Sequence, residues 1–533
     1  NNIAVTYTIN GIGQTAFYFS STGANGSITK VTLPVAIVSF GDVAFTNCKY
    51  LTEVSSYSGT TTYQYRLPQS LTTIGAYMFA HDPITTMKIP STLTSIGSTI
   101  FEGCTKLTSL TMVDASGTTA ENGTSYSCIS NMVYIGSTPT ELNTGALGAT
   151  MDAATNTLAI ADGVTKIDSY ALHSDVGIKH ITAPATITTI DSYSIRDVDS
   201  LLSFRFRAGA DNSLTPALTI GNYAFDNNNN MTTMEMPKRL TRIGDIAFWG
   251  NYALKHFPTT STQTVDEAST DGVLDLSGCT NLSYVGAQAF QNCSSIRSLT
   301  LPDTTSLTTL GANAFNNCTA LTTVNLGNHL SSFGNNCFSA CTALTSVNTG
   351  TSMISLGDNT FNGDTSLTSV TLGSSVTTIG GSCFLNTKLT SLTIPNSVTS
   401  IGGNAFNGVS TMASVTFGDG TSSSIIGRSG TLTINKLAFA NCTNASFTKI
   451  VIPDNAKFAA PGTDYAFNKD SQLTIYLGCT KANFTTANYP TGWNYRDNSL
   501  TSTALPFKLY SATTPTDSTY SYWHYVGTTP TAW

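Results

Sequence analysis

The chain has 533 residues, and length alone would give three or four domains at roughly 150 residues each. Charged residues make up only 10% and hydrophobic ones 40%, so the chain can bury a core and is not disordered. The net charge of −7 comes without blocks of one sign, and no apolar stretch approaches the ~18 residues of a membrane span, which excludes a basic footprint for nucleic acid, a polybasic lipid patch and a membrane-spanning helix.

In chain order, Asn1 opens the sequence without Met or a charged-then-apolar leader, as expected of a processed secreted or surface protein. Val5-Thr6-Tyr7-Thr8-Ile9 alternates like a strand and would start a sheet. A repeat then dominates: an apolar residue, Gly, and four residues after the Gly a Phe, often preceded by Ala. It runs from Ile74-Gly75…Phe79 and Ile96-Gly97…Phe101 to Ile379-Gly380…Phe384 and Ile401-Gly402…Phe406. Between Gly286, Gly311, Gly334, Gly357, Gly380 and Gly402 the intervals are 25, 23, 23, 23 and 22 residues. Looser copies from Phe17 through Leu172 and Ile195 to Phe467 bring the count to about sixteen units.

One unit, Leu389 to Phe406, carries the physics. The two-residue step Leu392/Ile394 is strand alternation with both side chains inward, and Pro395 ends the strand because it cannot donate to a ladder. Val398 and Ile401 point inward from an extended arm, Gly402 permits a tight turn, and Ala405-Phe406 closes the coil. So short a unit cannot bury its apolar side alone; stacked copies can, which predicts a solenoid with one parallel sheet along one side.

Three residues after the Phe stands Cys48, Cys104, Cys293, Cys318, Cys341 or Cys442 in some units. Asp82, Asp175, Asp364, Asp470, Asn228 or Asn251 stands there in others. These types share a compact polar group able to bond backbone, so the position is read as a cap inside each turn. A metal array is disfavoured because no Cys-x-x-Cys or His/Cys cluster occurs. Cys337 and Cys383 replace the small Ala before the Phe, a packing role, while Cys128, Cys279 and Cys479 fit neither set.

The line Leu-x-x-Leu-x-Ile-Pro-x-x-Val-x-x-Ile-Gly-x-x-Ala-Phe-x-x-Cys resembles the BspA-like, Treponema-type leucine-rich repeats of bacterial surface proteins, over most of residues 12–480. The resemblance implies a β-dominated α/β-type solenoid: leucine-rich-repeat coils with one long parallel sheet, short or helical turns on the other side, and capped ends. The stretch from Ser130 to Tyr134 and on from Leu158 to Ile167 is similar to the hairpin-bearing insertion between such repeats. The end, Tyr510 to Trp533, looks like a closing segment of surface repeat proteins of Gram-positive gut bacteria. The domain reading is therefore residues 1–480 as solenoid, with an irregular insertion near 113–160, and residues 481–533 as an aromatic-rich C-terminal cap. Trp493, Trp523 and Trp533 in that cap read as a lid over the last coil, or alternatively as a platform for sugar. The wall-sorting pattern Leu-Pro-x-Thr-Gly is absent, as is a Cys at position 1 for a lipid anchor.

The family resemblance implies extracellular adhesion or binding of a host or bacterial surface protein or glycan. A partner would meet the residues between the inward-facing strand side chains, a row that includes Lys88, Thr182, Thr300, Thr371 and Thr393. Arg205, Arg207, Glu235, His256 and Asp275 collect charge near its middle, and Asn325 and Asn348 open a polar ladder after it. These seven are the candidate partner-binding residues; the alternative is a solvated face with no partner. No nucleophile elbow, phosphate loop or His-Glu-x-x-His motif occurs, so neither catalysis nor a cofactor is expected. A second class of function is an extracellular filament or layer, with copies of the chain joined through residues 1–10 and 511–533. A Thr ladder could also bind ice, but charge interrupts it. Sequons such as Asn292-Cys-Ser294 and Asn317-Cys-Thr319 fall out of the repeat's own turn and are weak signs of glycosylation.

Overall fold

The computed structural model describes residues 11–17, 28–90, 92, 95–96, 100, 109–113, 125–126, 141–142, 149–152, 154–160, 164–167, 169–174, 177–207, 216–259, 271–427, 430–459, 465–468, 472–490, 493–494, 504–516, 519–526 and 529–532. Val5–Ile9, Ser130–Tyr134, Cys104, Cys128, Asp175, Asp470 and Trp533 lie outside them. The chain forms two compact units, residues 1–237 with 258–264 and residues 238–257 with 265–533.

Each unit is a stack of β-coils. In the second, Ser391–Ile394 alternates out and in, and Leu392, Ile394, Ile401, Ala405 and Phe406 are all buried. Leu392 lies opposite Val415 and Ile394 opposite Phe417 in the parallel register of neighbouring coils. The coil carries a further ladder: the Ser-Ile or Thr-Ile pair before the repeat Gly is itself a two-residue strand. Within the second unit these pairs run as one parallel sheet from Leu240–Ile243 to Ala456–Phe458, Ile379 opposite Ile401 among them. In the first unit Lys166–Ile167, Thr189–Ile190 and Leu218–Ile220 do the same. Among the described residues helix is confined to Ser422–Ile425 and a 3₁₀ turn at Lys481–Asn483.

The repeat Gly has a different cause from the turn expected of it. Gly402 is not among the positive-φ glycines; instead a Cβ there would lie 2.4 Å from Gly381 N and 2.5 Å from Gly380 C of the preceding coil. The backbone of one coil rests on that of the next, and only a residue without a side chain fits between.

The turn itself uses other residues. Asn404 (φ 59°) and Gly408 (φ 77°) adopt the left-handed conformation, as do Asn313 and Asn317 or Asn359 and Gly363 in their coils. Asn tolerates that region best after Gly. With these two residues bent, Asn404, Phe406 and Gly408 donate their N–H groups to the carbonyls of Lys436, Ala438 and Ala440 in the next coil, at 3.0, 2.8 and 2.9 Å. The turns are thus hydrogen-bonded coil to coil like the strands, so their buried backbone groups are paired.

Between the turns and the strands the Phe side chains form a column. From Phe248 through Phe290, Phe315, Phe338, Phe361, Phe384, Phe406 and Phe439 to Phe467, successive rings stack with centroids 5.1–5.8 Å apart and planes within 13°. Each such contact adds roughly 0.5–1.5 kcal/mol to the burial of the ring. Phe17, Phe45 and Phe79 begin a similar column in the first unit.

The position three residues after the Phe does bond backbone, and it reaches across to the preceding coil. Cys293, Cys318, Cys341 and Cys442 donate their thiols to the carbonyls of Phe248, Phe290, Phe315 and Phe406, at 3.1–3.4 Å. Asn228 makes both halves of the contact. Its Oδ1 accepts from Val198 N at 2.7 Å, and its Nδ2 donates to Ile195 O at 2.7 Å. The side chain is a latch between coils.

In the insertion, Ala149–Asp152 and Thr157–Ile160 form an antiparallel hairpin, whose second strand pairs in parallel with His180–Ala183. At the far end, Phe507–Tyr510 and Tyr522–Val526 extend the sheet of Lys449–Ile452 and Thr474–Leu477, and Thr529–Ala532 closes it in antiparallel. Trp523 is fully buried with Nε1 on Leu477 O at 2.8 Å, and Trp493 packs against Phe458 and Phe507. Their faces are consumed by the core and offer no platform for sugar.

Candidate functional site

Strands Val273–Asp275, Ser298–Thr300, Thr323–Asn325, Ser346–Asn348 and Ser369–Thr371 lie side by side in the second unit. Their register puts Asp275 opposite Thr300, Thr300 opposite Asn325, and Asn348 opposite Thr371. Thr323 opposite Ser346 brings Asn325 beside Asn348. Leu274, Leu299 and Val347 point into the core, so their neighbours face outward by strand alternation.

Three members of this row are held by the same local device. Asp275 Oδ1 accepts from Ser277 N at 2.9 Å, Asn325 Oδ1 from Gly327 N at 3.4 Å, and Asn348 Oδ1 from Gly350 N at 3.1 Å. These are side-chain turns of the Asx type, and Gly327 (φ 66°) and Gly350 (φ 72°) supply the left-handed residue that lets the chain leave the strand there. Because Oδ1 is occupied by its own backbone, the amide N–H₂ groups of Asn325 and Asn348 are directed away from it. Both residues are exposed.

Beside the row lies a polar cleft of about 460 Å³, lined by Thr300, Asn325 and Asn348 and by Asp303, Thr304 and Asn328 of the loops that follow. Asp303 Oδ1 accepts from Asn328 N at 2.7 Å and meets His329 Nδ1 at 2.9 Å. The Asn328 N–H and then the His329 ring hold its carboxyl below the ordinary carboxylate range. A reading confined to strand positions passes over these loop residues. Their signal was the interval: Asp303 and Asn328 are 25 residues apart, as are the strands starting at Ser298 and Thr323.

The charged strip fares differently. Arg205 and Glu235 do meet, in the first unit, with Nε and Oε2 3.8 Å apart, and Arg207 lies half-buried just past the same strand. Glu235, however, is buried, not exposed: its Oε2 accepts from Phe206 N at 2.9 Å. Pairing with the next strand stops at Thr233 and Met234, so the carboxylate takes the place of a missing ladder carbonyl. His256, in the second unit, is also buried, with Nδ1 3.4 Å from Asp271 Oδ1. Neither side chain can belong to an exposed partner-binding strip. Asp275 remains half-exposed on the row already described.

Other chemistry is sparse. Nine cysteines are described, all buried, and burial pushes the Cys318 thiol up to about 12, which suits a hydrogen-bond donor and not a nucleophile. Among the described residues no three His, Cys, Asp or Glu side chains group as metal ligands, and no helix is long and apolar enough to cross a membrane.

The repeat family that the chain matches agrees with this coil. The BspA type leucine-rich repeat region, in six copies, matches residues 11–150, 72–202, 151–269 and 283–413. A leucine-rich repeat protein from Bacteroides ovatus is similar at 18% identity, covering 83% of this chain and 96% of its own, with a TM-score of 0.43. A leucine-rich cell surface protein from Faecalibacterium prausnitzii is 18% identical over 74% of this chain and 88% of its own (TM-score 0.34). The Treponema pallidum leucine-rich repeat protein is 16% identical over 45% and 85% (TM-score 0.27). Comparison with curated proteins gives no match. Coil, columns and matched repeats together make this chain a member of the BspA type leucine-rich repeat family.

Proposed function

We propose that the protein is an extracellular surface protein that binds a partner, and adheres, through the outward row of its second unit. The observation that carries this reading is the set of side-chain turns at Asp275, Asn325 and Asn348, which fixes polar groups in advance on a face that the core does not use. Pre-oriented groups lose less freedom on binding than mobile ones, so the row is suited to recognition. Membership of the BspA type family supports a location on a bacterial surface.

The test is binding of the labelled whole chain to epithelial cells, extracellular matrix and bacterial cells, beside an Asp275→Ala/Asn325→Ala/Asn348→Ala variant. Saturable binding that the triple variant loses is the expected result. Binding left intact by the variant places recognition elsewhere, and no binding to any of the three surfaces ends the adhesive reading.

A filament subunit is the second reading, and one observation favours it: strand Thr529–Ala532 ends its sheet with exposed residues along a free edge. Negative-stain microscopy of the purified chain, with and without residues 511–533, separates the two.

A further inference from the structure

The row and its cleft also indicate what kind of molecule would be bound, an inference that rests on the binding reading above. The cleft-lining side chains include no Lys or Arg, and the only formal charge among them is the Asp303 carboxylate. An anionic ligand, whether nucleic acid, sulfated glycan or acidic peptide, would meet carboxylates at Asp303 and Asp275, with no Lys or Arg among the cleft-lining residues to pair with. An apolar or aromatic partner would leave the amides of Asn325 and Asn348 buried without partners, which is costly.

What remains favours a neutral ligand rich in hydroxyls. Along the row, Asp275 keeps one carboxylate oxygen free of its turn, Thr300 offers a hydroxyl that both donates and accepts, and Asn325 and Asn348 offer amide donors. Sugar hydroxyls need this mixture, since each can donate to a carboxylate and accept from an amide at once. Neighbouring coils are one parallel-strand spacing apart, so Asp275 to Asn348 spans roughly 14 Å in steps of about 4.8 Å. That step is close to the length of one hexose in an extended chain, so one sugar residue can face each coil. Thr304 adds a further unmet group in the cleft wall, its Oγ1 buried and without a hydrogen-bond partner. We infer that the Asp275–Thr300–Asn325–Asn348 row with the adjoining cleft is a binding site for a neutral hexose oligosaccharide.

The decisive variant is Asn325→Asp/Asn348→Asp. An aspartate keeps the side-chain turn through Oδ1 and the size of the group, but puts an acceptor where the amide donated. The whole chain would be titrated calorimetrically with neutral gluco-, manno- and galacto-hexasaccharides, and with a heparin hexasaccharide as the anionic control. The inference expects saturable binding of at least one neutral hexasaccharide, weakened at least tenfold by the double variant at an unchanged melting temperature. It also expects no binding of heparin. Failure of every neutral sugar at millimolar concentration overturns it, as does preference for heparin or a double variant that binds like the parent. Should cells still be bound through the row while all neutral sugars fail, the sugar inference falls and the adhesive reading stands. Should sugars bind the row but no cell or matrix be bound, the adhesive reading falls alone.

Discussion

The substitution Asp82→Asn tests how the coils are latched. Asp82 is buried at the position three residues after Phe79, and its Oδ1 accepts from Cys48 N of the preceding coil at 2.7 Å. Its other oxygen is buried with no partner. At the same position Asn228 donates its Nδ2 hydrogen to the preceding coil's Ile195 carbonyl, and five cysteines donate their thiols to the preceding Phe carbonyl. An ionised carboxylate there would be a buried charge met only by the Cys48 N–H, whereas a protonated one is neutral. Burial accordingly pushes the Asp82 carboxyl up to about 9, against the lowering effect of the Cys48 N–H. In the unfolded chain an aspartate titrates near 3.9.

The sign follows directly. The folded state holds a proton that the unfolded state has released, so the contribution is complete below about pH 4 and declines as pH rises toward the folded value near 9. Within that window the slope is about 1.4 kcal/mol per pH unit, or at most roughly 4 kcal/mol between pH 5 and 8. An Asn at 82 is neutral at every pH and has no such slope. Chemical denaturation of the parent and Asp82→Asn at pH 4, 6 and 8 should therefore give similar stabilities at pH 4 and a widening advantage for the variant above it. A constant offset across the series would mean that Asp82 is ionised in the folded chain, and the latch argument would fail. Asp364, whose Oδ1 accepts from Cys341 N at 2.8 Å and whose carboxyl is raised for the same reason, should respond in the same direction.

Gly380→Ala sets a Cβ 2.5 Å from the Gly357 backbone and should lower stability by roughly 1–3 kcal/mol in denaturant unfolding, whereas its neighbour Gly381→Ala, with its nearest contact at 3.4 Å, should be tolerated. The buried thiols of Cys293, Cys318 and Cys341 should be silent to a thiol-reactive dye in the native chain and titrate fully in denaturant; fast native labelling would refute their role as buried donors. Asn317 Nδ2 donates to Asn292 Oδ1 at 2.8 Å between coils, so mass spectrometry after secretion from a eukaryotic host should find both sequons unmodified.

The coil was legible because its cause is periodic. Leu392, Ile394, Ile401 and Phe406 recur at fixed steps, and burial of a repeated apolar side has one economical solution, stacking. Three things were less visible. The Ser-Ile pair at 400–401 looks like a connecting arm, since two residues carry no alternation to read, and only the neighbouring coil makes it a strand. Gly402 invites a turn explanation, yet its reason is the backbone of another coil, a contact that no single unit contains. The left-handed pair at Asn404 and Gly408 left only a partial trace: Asn stands two residues after the repeat Gly at 313, 336, 359 and 404, but Tyr77, Ile246, Gln288 and Ser382 take the same conformation in other coils. For the row, outward alternation placed Asn325 and Asn348 on the exposed face, where they lie. It misjudged Glu235, because a strand that stops early turns a surface position into a substitute for the ladder.

The residues that stabilise the coil and those of the proposed recognition row occupy different parts of it. Phe column, Gly contacts and latch residues all bond or pack against the next coil, so a change in any of them is felt along the stack. The side chains of Asn325 and Asn348 bond only the backbone two residues ahead, and their exposed amides touch nothing that the core requires. Substitutions there should be nearly additive with those in the core, because the groups share no partner. A coil built this way can change what its row presents without changing how it folds. The test for a binding role is therefore clean: a row variant that loses its ligand and keeps its melting temperature has lost recognition, not structure.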